Sequence, residues 1–136
     1  MFINKLKLAT LALFTMLTLA VISCTKDEPE PETPKVTFTV NSPFEGQEFQ
    51  HNDTVKITGT IEYASGLHGY EVTIRNKADN SVQFDADQHI HGSKIEFNEF
   101  WVNNATQHSE MELEIAGILD HDGNKASKKI NIHCHN

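Results

Sequence analysis

The chain has 136 residues, with 11 Lys and Arg against 19 Asp and Glu, which gives a formal net charge of −8. This length suits one domain with one hydrophobic core. The acidic balance argues against a nucleic-acid partner, because phosphate contacts need clustered Lys and Arg. Cations and cationic ligands fit this charge better.

The first 23 residues have the layout of a secretory signal peptide. A basic start is followed by an apolar run, Leu8 to Ile22. At about 15 residues, this run is shorter than the roughly 20 that a membrane-spanning helix needs. The small residue Ser23 then precedes Cys24. We therefore predict cleavage between Ser23 and Cys24, with a short membrane anchor or an ordinary secretory signal as the alternative.

The residues around Cys24 carry a family resemblance. Val21-Ile22-Ser23-Cys24 resembles the lipobox of bacterial lipoproteins, with Val21 in the place of the usual leucine. The next residues, Lys26, Asp27 and Glu28, look like the signal that sends lipoproteins of Bacteroidetes to the outer face of the outer membrane. The resemblance implies that Cys24 is acylated and that the protein is lipid-anchored in the outer membrane, facing the cell exterior.

Residues 24–34 are predicted to form an acidic, Pro-rich linker, which favours an extended spacer between membrane and domain. The alternative interpretation of Lys26, Asp27 and Glu28 is that they belong to this solvated linker and are not an export signal. Loss of Lys5 and Lys7 with the signal leaves 113 residues with 9 basic and 19 acidic side chains, a formal charge of −10. Acylation of Cys24 leaves Cys134 as the only free thiol, so no intrachain disulfide is expected.

Residues 35–136 are predicted to form a single antiparallel β-sandwich of about seven strands. Apolar and polar residues alternate in seven runs, which are separated by Gly, Asn and Asp turns, and no stretch follows the helical period. The runs are Val36–Val40, Val55–Tyr63, Tyr70–Ile74, Val82–Ala86 with Ile90 as a possible extension, Ile95–Trp101, Met111–Ile115 and Ala126–Cys134.

Two turn regions resemble those of bacterial immunoglobulin-like domains. Asn41–Gln47 followed by Asp53–Ile57 looks like the first hairpin of such domains, and Leu119–Lys125 looks like the last. The chain is also similar to immunoglobulin-like surface lipoproteins of Bacteroidetes of uncharacterised function. The resemblance implies an immunoglobulin-like architecture and no particular activity, because the cysteine pair and core tryptophan arrangement of antibody domains are missing from the sequence.

The domain carries eight histidines, and four of them form the His-x-His pairs His89/His91 and His133/His135. On a strand, residues i and i+2 share a face and lie roughly 6–7 Å apart. Two imidazoles at this spacing suit a transition metal such as Zn, Cu or Ni.

The alternation of buried and outward residues in the last two strands predicts a third histidine beside His133 and His135. If they form a hairpin closed near residues 120–123, the shared core face fixes which residues point outward. His133 then lies opposite Glu112, and His135 lies opposite Glu110. The predicted metal ligands are His108, His133 and His135, with Glu110 and Glu112 as ligands or orienting groups. A solvated, weakly paired surface is the alternative.

Other residues join this site only under stated conditions. Cys134 contributes only if the strand end frays, because it otherwise faces the core. His89 and His91 contribute only if the loop before Ile95 reaches the last strand. The remaining histidines are given no metal role: His121, which is assigned to turn chemistry, and His51 and His68.

These patterns predict a binding protein and not an enzyme. The sequence has no Gly-x-Ser-x-Gly, no His-Glu-x-x-His and no phosphate-cradling glycine loop. We expect an outer-membrane lipoprotein that binds a transition metal ion, or a metal-bearing ligand such as haem. The alternative is an adhesion module or accessory subunit with a protein or glycan partner. Phe100-Trp101 would then be an exposed anchor, although a core role is the competing interpretation.

Overall fold

The structure, a computed structural model, describes residues 35–136. The predicted signal peptide and linker, including Cys24, Lys26, Asp27 and Glu28, lie outside the described residues. Within 35–136 no helix is long and apolar enough to cross a membrane. The strands of this range are β1 Thr37–Ser42, β2 Gln47–Phe49, β3 Thr54–Leu67, β4 Gly69–Asn76, β5 Val82–Gln88, β6 Gly92–Val102, β7 Ser109–Ile118 and β8 Lys125–Cys134.

The strands form two facing sheets. One has the order β1-β3-β6 and the other the order β2-β8-β7-β4-β5. Every pairing is antiparallel except that of β2 with β8. The placement of β3 beside β6, and of β4, β7 and β8 in the opposite sheet, is the strand arrangement of an immunoglobulin-type sandwich. The prediction of an all-β antiparallel sandwich is confirmed.

The core lies between the two sheets and is built from the alternating apolar residues. Its buried side chains include Val55, Ile57, Val72, Ile74, Ile95, Phe97, Leu113, Ile115, Ile130 and Ile132. Trp101 is 6% exposed and belongs to this core, whereas its neighbour Phe100 is 68% exposed. The core interpretation of Trp101 is therefore confirmed, and only Phe100 remains available as a surface anchor.

Gly59 allows β3 to pass close to its neighbours on both sides. It lies opposite Phe97 of β6, and an added Cβ would overlap the Phe97 ring and the carbonyl oxygen of Thr39. We expect Gly59→Ala to lower the free energy of unfolding by about 2 kcal/mol, because overpacking forces neighbouring groups to move. Urea unfolding measures this, with Thr58→Ala on the other face as the control. Equal stability of the two variants would contradict the prediction.

The largest departures from the predicted strands are an additional strand, β2, and a longer β3. β2 was not predicted, because three residues are too few for alternation to show. β3 continues to Leu67, with a register shift after Glu62. Ile90 lies beyond the end of β5 and is exposed.

β5 itself is the outermost strand of its sheet and carries two exposed carboxylates, Asp85 and Asp87.

Candidate metal centre

Four side chains meet where β7 begins and β8 ends, and we call this group the C-terminal patch. Its members are His108, Glu110, His133 and His135. Glu110 and His133 lie directly opposite each other in the β7–β8 ladder, where facing Cβ atoms are about 4.5–5.5 Å apart. His108 lies two residues before Glu110, and His135 lies two residues after His133. Both therefore share the outward face of Glu110 and His133.

The register of this hairpin is shifted by two residues from the predicted one. His133 faces Glu110 and not Glu112, and the connecting loop runs from Leu119 to Asn124. Glu112 instead faces Asn131 and accepts a hydrogen bond of 2.8 Å from the Lys129 ammonium. The predicted outward face is confirmed, but Glu112 does not belong to the patch.

Three members of the patch direct ligand atoms toward one another. Nδ1 of His133 lies 2.6 Å from Oε1 of Glu110, and Nε2 of His108 lies 3.8 Å from the same oxygen. One ligand atom from each of these residues lies within 4.8 Å of the other two. Nitrogen–metal bonds of about 2.0–2.1 Å place the ligand atoms of a tetrahedral ion roughly 3.3 Å apart. Small side-chain rotations therefore close this set around an ion.

His135 contacts the far side of the His108 ring. The two Nδ1 atoms are 3.3 Å apart, so one of them donates and the other accepts. Nε2 of His135 is buried without a hydrogen-bond partner and lies 3.6 Å from Oε2 of Glu48. A partner on the non-ligating nitrogen fixes the tautomer and ring orientation of a metal-bound histidine. The structure places His135 beside His108, as predicted, but outside the three converging ligand atoms, which suits an orienting role.

The backbone beside the patch is fixed by a buried asparagine. Asn103 is 0% exposed, and its Nδ2 lies 3.3, 3.0 and 2.9 Å from the carbonyl oxygens of Phe49, Gln50 and His135. Its Oδ1 accepts a hydrogen bond of 3.0 Å from the Ala105 N–H. The N–H of His135 also donates to the Phe49 carbonyl at 2.8 Å. The end of β8 is therefore held in place and does not fray.

Cys134 consequently faces the core and takes no part in the patch. Its side chain is fully buried, opposite Ser109, and burial raises the pKa of its thiol from 9.0 to about 11. The predicted contribution of Cys134 to metal binding required a frayed strand end, and the pairing of β2 with β8 up to Phe49 and Cys134 rules this out.

We expect the Cys134 thiol to be unreactive in the folded chain. A rise in pKa from 9.0 to about 11 lowers the thiolate fraction at pH 8 about a hundredfold, and the thiolate is the reactive form. In a Cys24→Ser chain, dithionitrobenzoate should react at least a hundredfold faster in urea than in buffer. A native rate within tenfold of the unfolded rate would contradict the buried position.

The other histidine pair lies at the opposite end of the sandwich. His89 and His91 connect β5 to β6, next to the start of β4 and the end of β7. The ten residues of β7 separate this end from the C-terminal patch, which corresponds to about 30 Å. The condition for this pair to join the C-terminal patch, a loop that reaches the free end of the last strand, is therefore not met.

This pair meets two histidines to which the sequence assigned no metal role. The His68 ring lies 4.7 Å from that of His91 and 4.2 Å from that of His121, between ring centroids. We call His68, His89, His91 and His121 the loop cluster. Strand phase cannot reveal such a group, because its members lie in three separate connections.

The C-terminal patch is open and lies in an acidic environment. His108 and His133 keep 57% and 34% of their side-chain surface exposed, and a groove of about 360 Å³ lies beside His108 and Glu110. Glu48 adds a further carboxylate at 3.6 Å from His135. Carboxylates beside imidazoles favour a cation, and the open side leaves room for water or an external ligand.

Comparison with known proteins gives no family for this chain. No protein-family model matches the sequence, and a search of curated proteins returns no significant match. The function is therefore inferred from the chemistry of the histidine groups themselves.

Proposed function

We propose that this chain is a lipid-anchored protein of the outer-membrane surface whose sandwich binds a transition metal ion at the C-terminal patch. The observation that carries the metal-binding part is the convergence of His108, Glu110 and His133, with ligand atoms within 4.8 Å of one another. The anchoring and the location rest on the resemblance of residues 21–28 to lipoprotein signals.

The ligand types select the class of metal. Two imidazoles and one carboxylate suit Zn, Cu or Ni, whereas Mg and Ca prefer oxygen ligands alone. Three protein ligands with an open side leave coordination positions for water or for an incoming ligand. A metal-bearing ligand such as haem would use the same imidazoles from the exposed side.

The close approach of His133 to Glu110 also fits a simple surface ion pair, and pH separates the two explanations. An ion pair requires a protonated imidazole, whereas a metal ligand must be neutral. Raising the pH therefore weakens an ion pair and strengthens metal binding. The proposal requires affinity that increases between pH 6 and pH 8.

Calorimetric titration tests the metal-binding part directly. The full chain, purified in detergent without a polyhistidine tag and stripped with chelator, is titrated with Zn(II), Cu(II) and Ni(II). We expect at least one of these ions to bind with Kd below about 1 μM, equivalent to roughly −8 kcal/mol. Binding weaker than this for all three ions would overturn the proposal.

A separate experiment tests the anchor. The full chain should partition into the detergent phase in a phase-partition assay, because acyl chains supply the membrane affinity, whereas residues 25–136 alone should stay in the aqueous phase. Replacement of Lys26, Asp27 and Glu28 by alanine should keep the lipid but remove access of external protease in intact cells of a Bacteroidetes host. A full chain in the aqueous phase would overturn the lipid anchor.

A non-metal interaction module is a second candidate, and the exposed ring of Phe100 favours it. Phe100 and Val102 are exposed large apolar residues on the outer face of β6. Exposed aromatic residues often anchor protein interfaces. If this surface carries the function, Phe100→Ser should abolish binding to intact partner cells or glycan arrays, while His133→Ala should leave that binding unchanged.

A further inference from the structure

We propose that the loop cluster, His68, His89, His91 and His121, is a second transition-metal site, which takes Cu(II), Ni(II) or Zn(II) through imidazoles alone. This site is independent of the C-terminal patch and lies at the other end of β7. Its four histidines come from three connections: the single residue between β3 and β4, the segment between β5 and β6, and the β7–β8 loop.

Strand pairing explains why these histidines meet. Leu67 faces Gly92 in the β3–β6 ladder, so the next residues outward, His68 and His91, come together. Gly69 lies at the start of β4, and a Cβ there would overlap the Gln88 carbonyl oxygen. Glycine thus permits the close approach that brings His89 to the same end.

One pair of nitrogens already lies at the separation of two ligands around one ion, and the other rings are close enough to join after rotation. Nε2 of His89 and Nε2 of His91 are 3.0 Å apart, close to the roughly 3.3 Å between ligand atoms of a tetrahedral site. In such a site the ring centroids lie on the order of 5 Å apart. The observed separations are 4.2 Å for His68–His121, 4.7 Å for His68–His91 and for His89–His91, and 6.2 Å for His91–His121. The broad χ2 torsion of histidine allows the remaining ring rotations.

His68 contacts the rings of His91 and His121 and carries an unpartnered nitrogen. Its Nδ1 is buried and has no hydrogen-bond partner, while its backbone N–H is fixed by a 2.8 Å bond to the Ile118 carbonyl. Burial lowers the pKa of His68, and the neighbouring His121 and His91 lower it further. Coordination to a metal ion would satisfy the unpaired nitrogen.

The loop that carries His121 is ordered without help from an ion. Oδ1 of Asp120 accepts hydrogen bonds of 3.0 Å from the N–H groups of Asp122 and Asn124. Leu119 N–H donates to the Asn124 carbonyl at 2.7 Å. These bonds fix the backbone that carries His121 beside His68. Four imidazoles would make this site softer than the C-terminal patch, and copper is the strongest binder expected from the general order of affinities.

Paramagnetic broadening by Cu(II) tests the second site in the full, untagged chain. Cu(II) broadens amide signals near the ion and leaves those about 30 Å away unaffected, so the two ends of β7 report separately. We expect two equivalents of Cu(II) per chain, with broadening of Gly69, Gly92 and Gly123 from one ion and of Ser109 and His133 from the other. Full-intensity signals at the three glycines would overturn the proposal without any substitution.

Substitution of exposed members gives a second measurement. His91→Ala/His121→Ala should bind one equivalent fewer than the unmodified chain and lose the broadening of the three glycines. His51→Ala, an exposed histidine outside both groups, is the matched control and should keep both equivalents. An unchanged stoichiometry in the double variant would overturn the second site. If only the glycines broaden, the second site holds and the proposal for the C-terminal patch fails.

Discussion

Replacing His108 and His133 together by alanine should lower the Cu(II) or Zn(II) affinity of the C-terminal patch by at least a hundredfold. The double variant keeps one of the three converging ligands, Glu110, and a single carboxylate does not hold a transition metal tightly. The stability of the fold should change little, because both imidazoles lie on the outward face of the sheet. Calorimetry measures the affinity, and urea unfolding checks the stability.

Single substitutions should rank the members of the patch by their role. Glu110→Gln removes a charged ligand oxygen and should cost more affinity than His135→Ala. Loss of an orienting partner typically costs about 10–100-fold, which we expect for His135→Ala. Because His135 acts through the His108 ring, Cu(II) spectra of this variant should still show nitrogen ligation.

The neighbouring strand residue Glu112 offers a matched control for Glu110. Both are outward carboxylates on β7, but Glu112 is engaged with Lys129. Glu112→Gln should therefore leave the metal affinity within about twofold of the original. Equal losses in Glu112→Gln and Glu110→Gln would contradict the assigned patch and indicate a general effect of surface charge.

Asn103→Ala should produce the largest loss of stability among single polar substitutions, about 3 kcal/mol in the free energy of unfolding. It removes the side-chain partner of the His135 carbonyl and of the Ala105 N–H, and unsatisfied buried groups cost about 1–3 kcal/mol each. The Phe49 and Gln50 carbonyls keep backbone donors, the N–H groups of His135 and Asp53. Urea unfolding measures the change. Asn104→Ala, at the exposed neighbouring position, should cost less than about 0.5 kcal/mol.

The same substitution should also weaken metal binding. Asn103 holds the carbonyl of His135, and His135 in turn contacts the His108 ring. Loosening this segment should reduce the affinity of the patch about tenfold, within the usual range for lost supporting contacts. A destabilised Asn103→Ala chain with unchanged affinity would contradict the role assigned to His135.

The sequence was sufficient for the fold because the sandwich depends on alternation. Core residues such as Leu113 and Ile130 must share the buried face, which determines the outward position of His133. A shift of two residues keeps every side chain on its face, so the apolar pattern cannot distinguish Glu110 from Glu112 as the partner of His133. The hydrogen bonds of the Leu119–Asn124 loop decide this register.

The loop cluster could not be predicted for a different reason. His68 and His121 are separated by four strands, β4 to β7, and no sequence pattern links them. Their contact depends on the chain passing from one sheet to the other at His68, between β3 and β4. It also depends on the close approach of Gly69 to the backbone of Gln88. Both are tertiary features. Asn103 was missed likewise, since a single asparagine in a loop gives no local sign that it will be buried.

The acidic residues of β5 have a consequence for association between copies of the protein. β5 is an open edge strand, and such edges invite pairing with another chain. A second copy that extended the sheet through β5 would bring the two sets of Asp85 and Asp87 close together. Facing like charges destabilise such a pairing. Pairing of two copies through β5 should therefore be disfavoured.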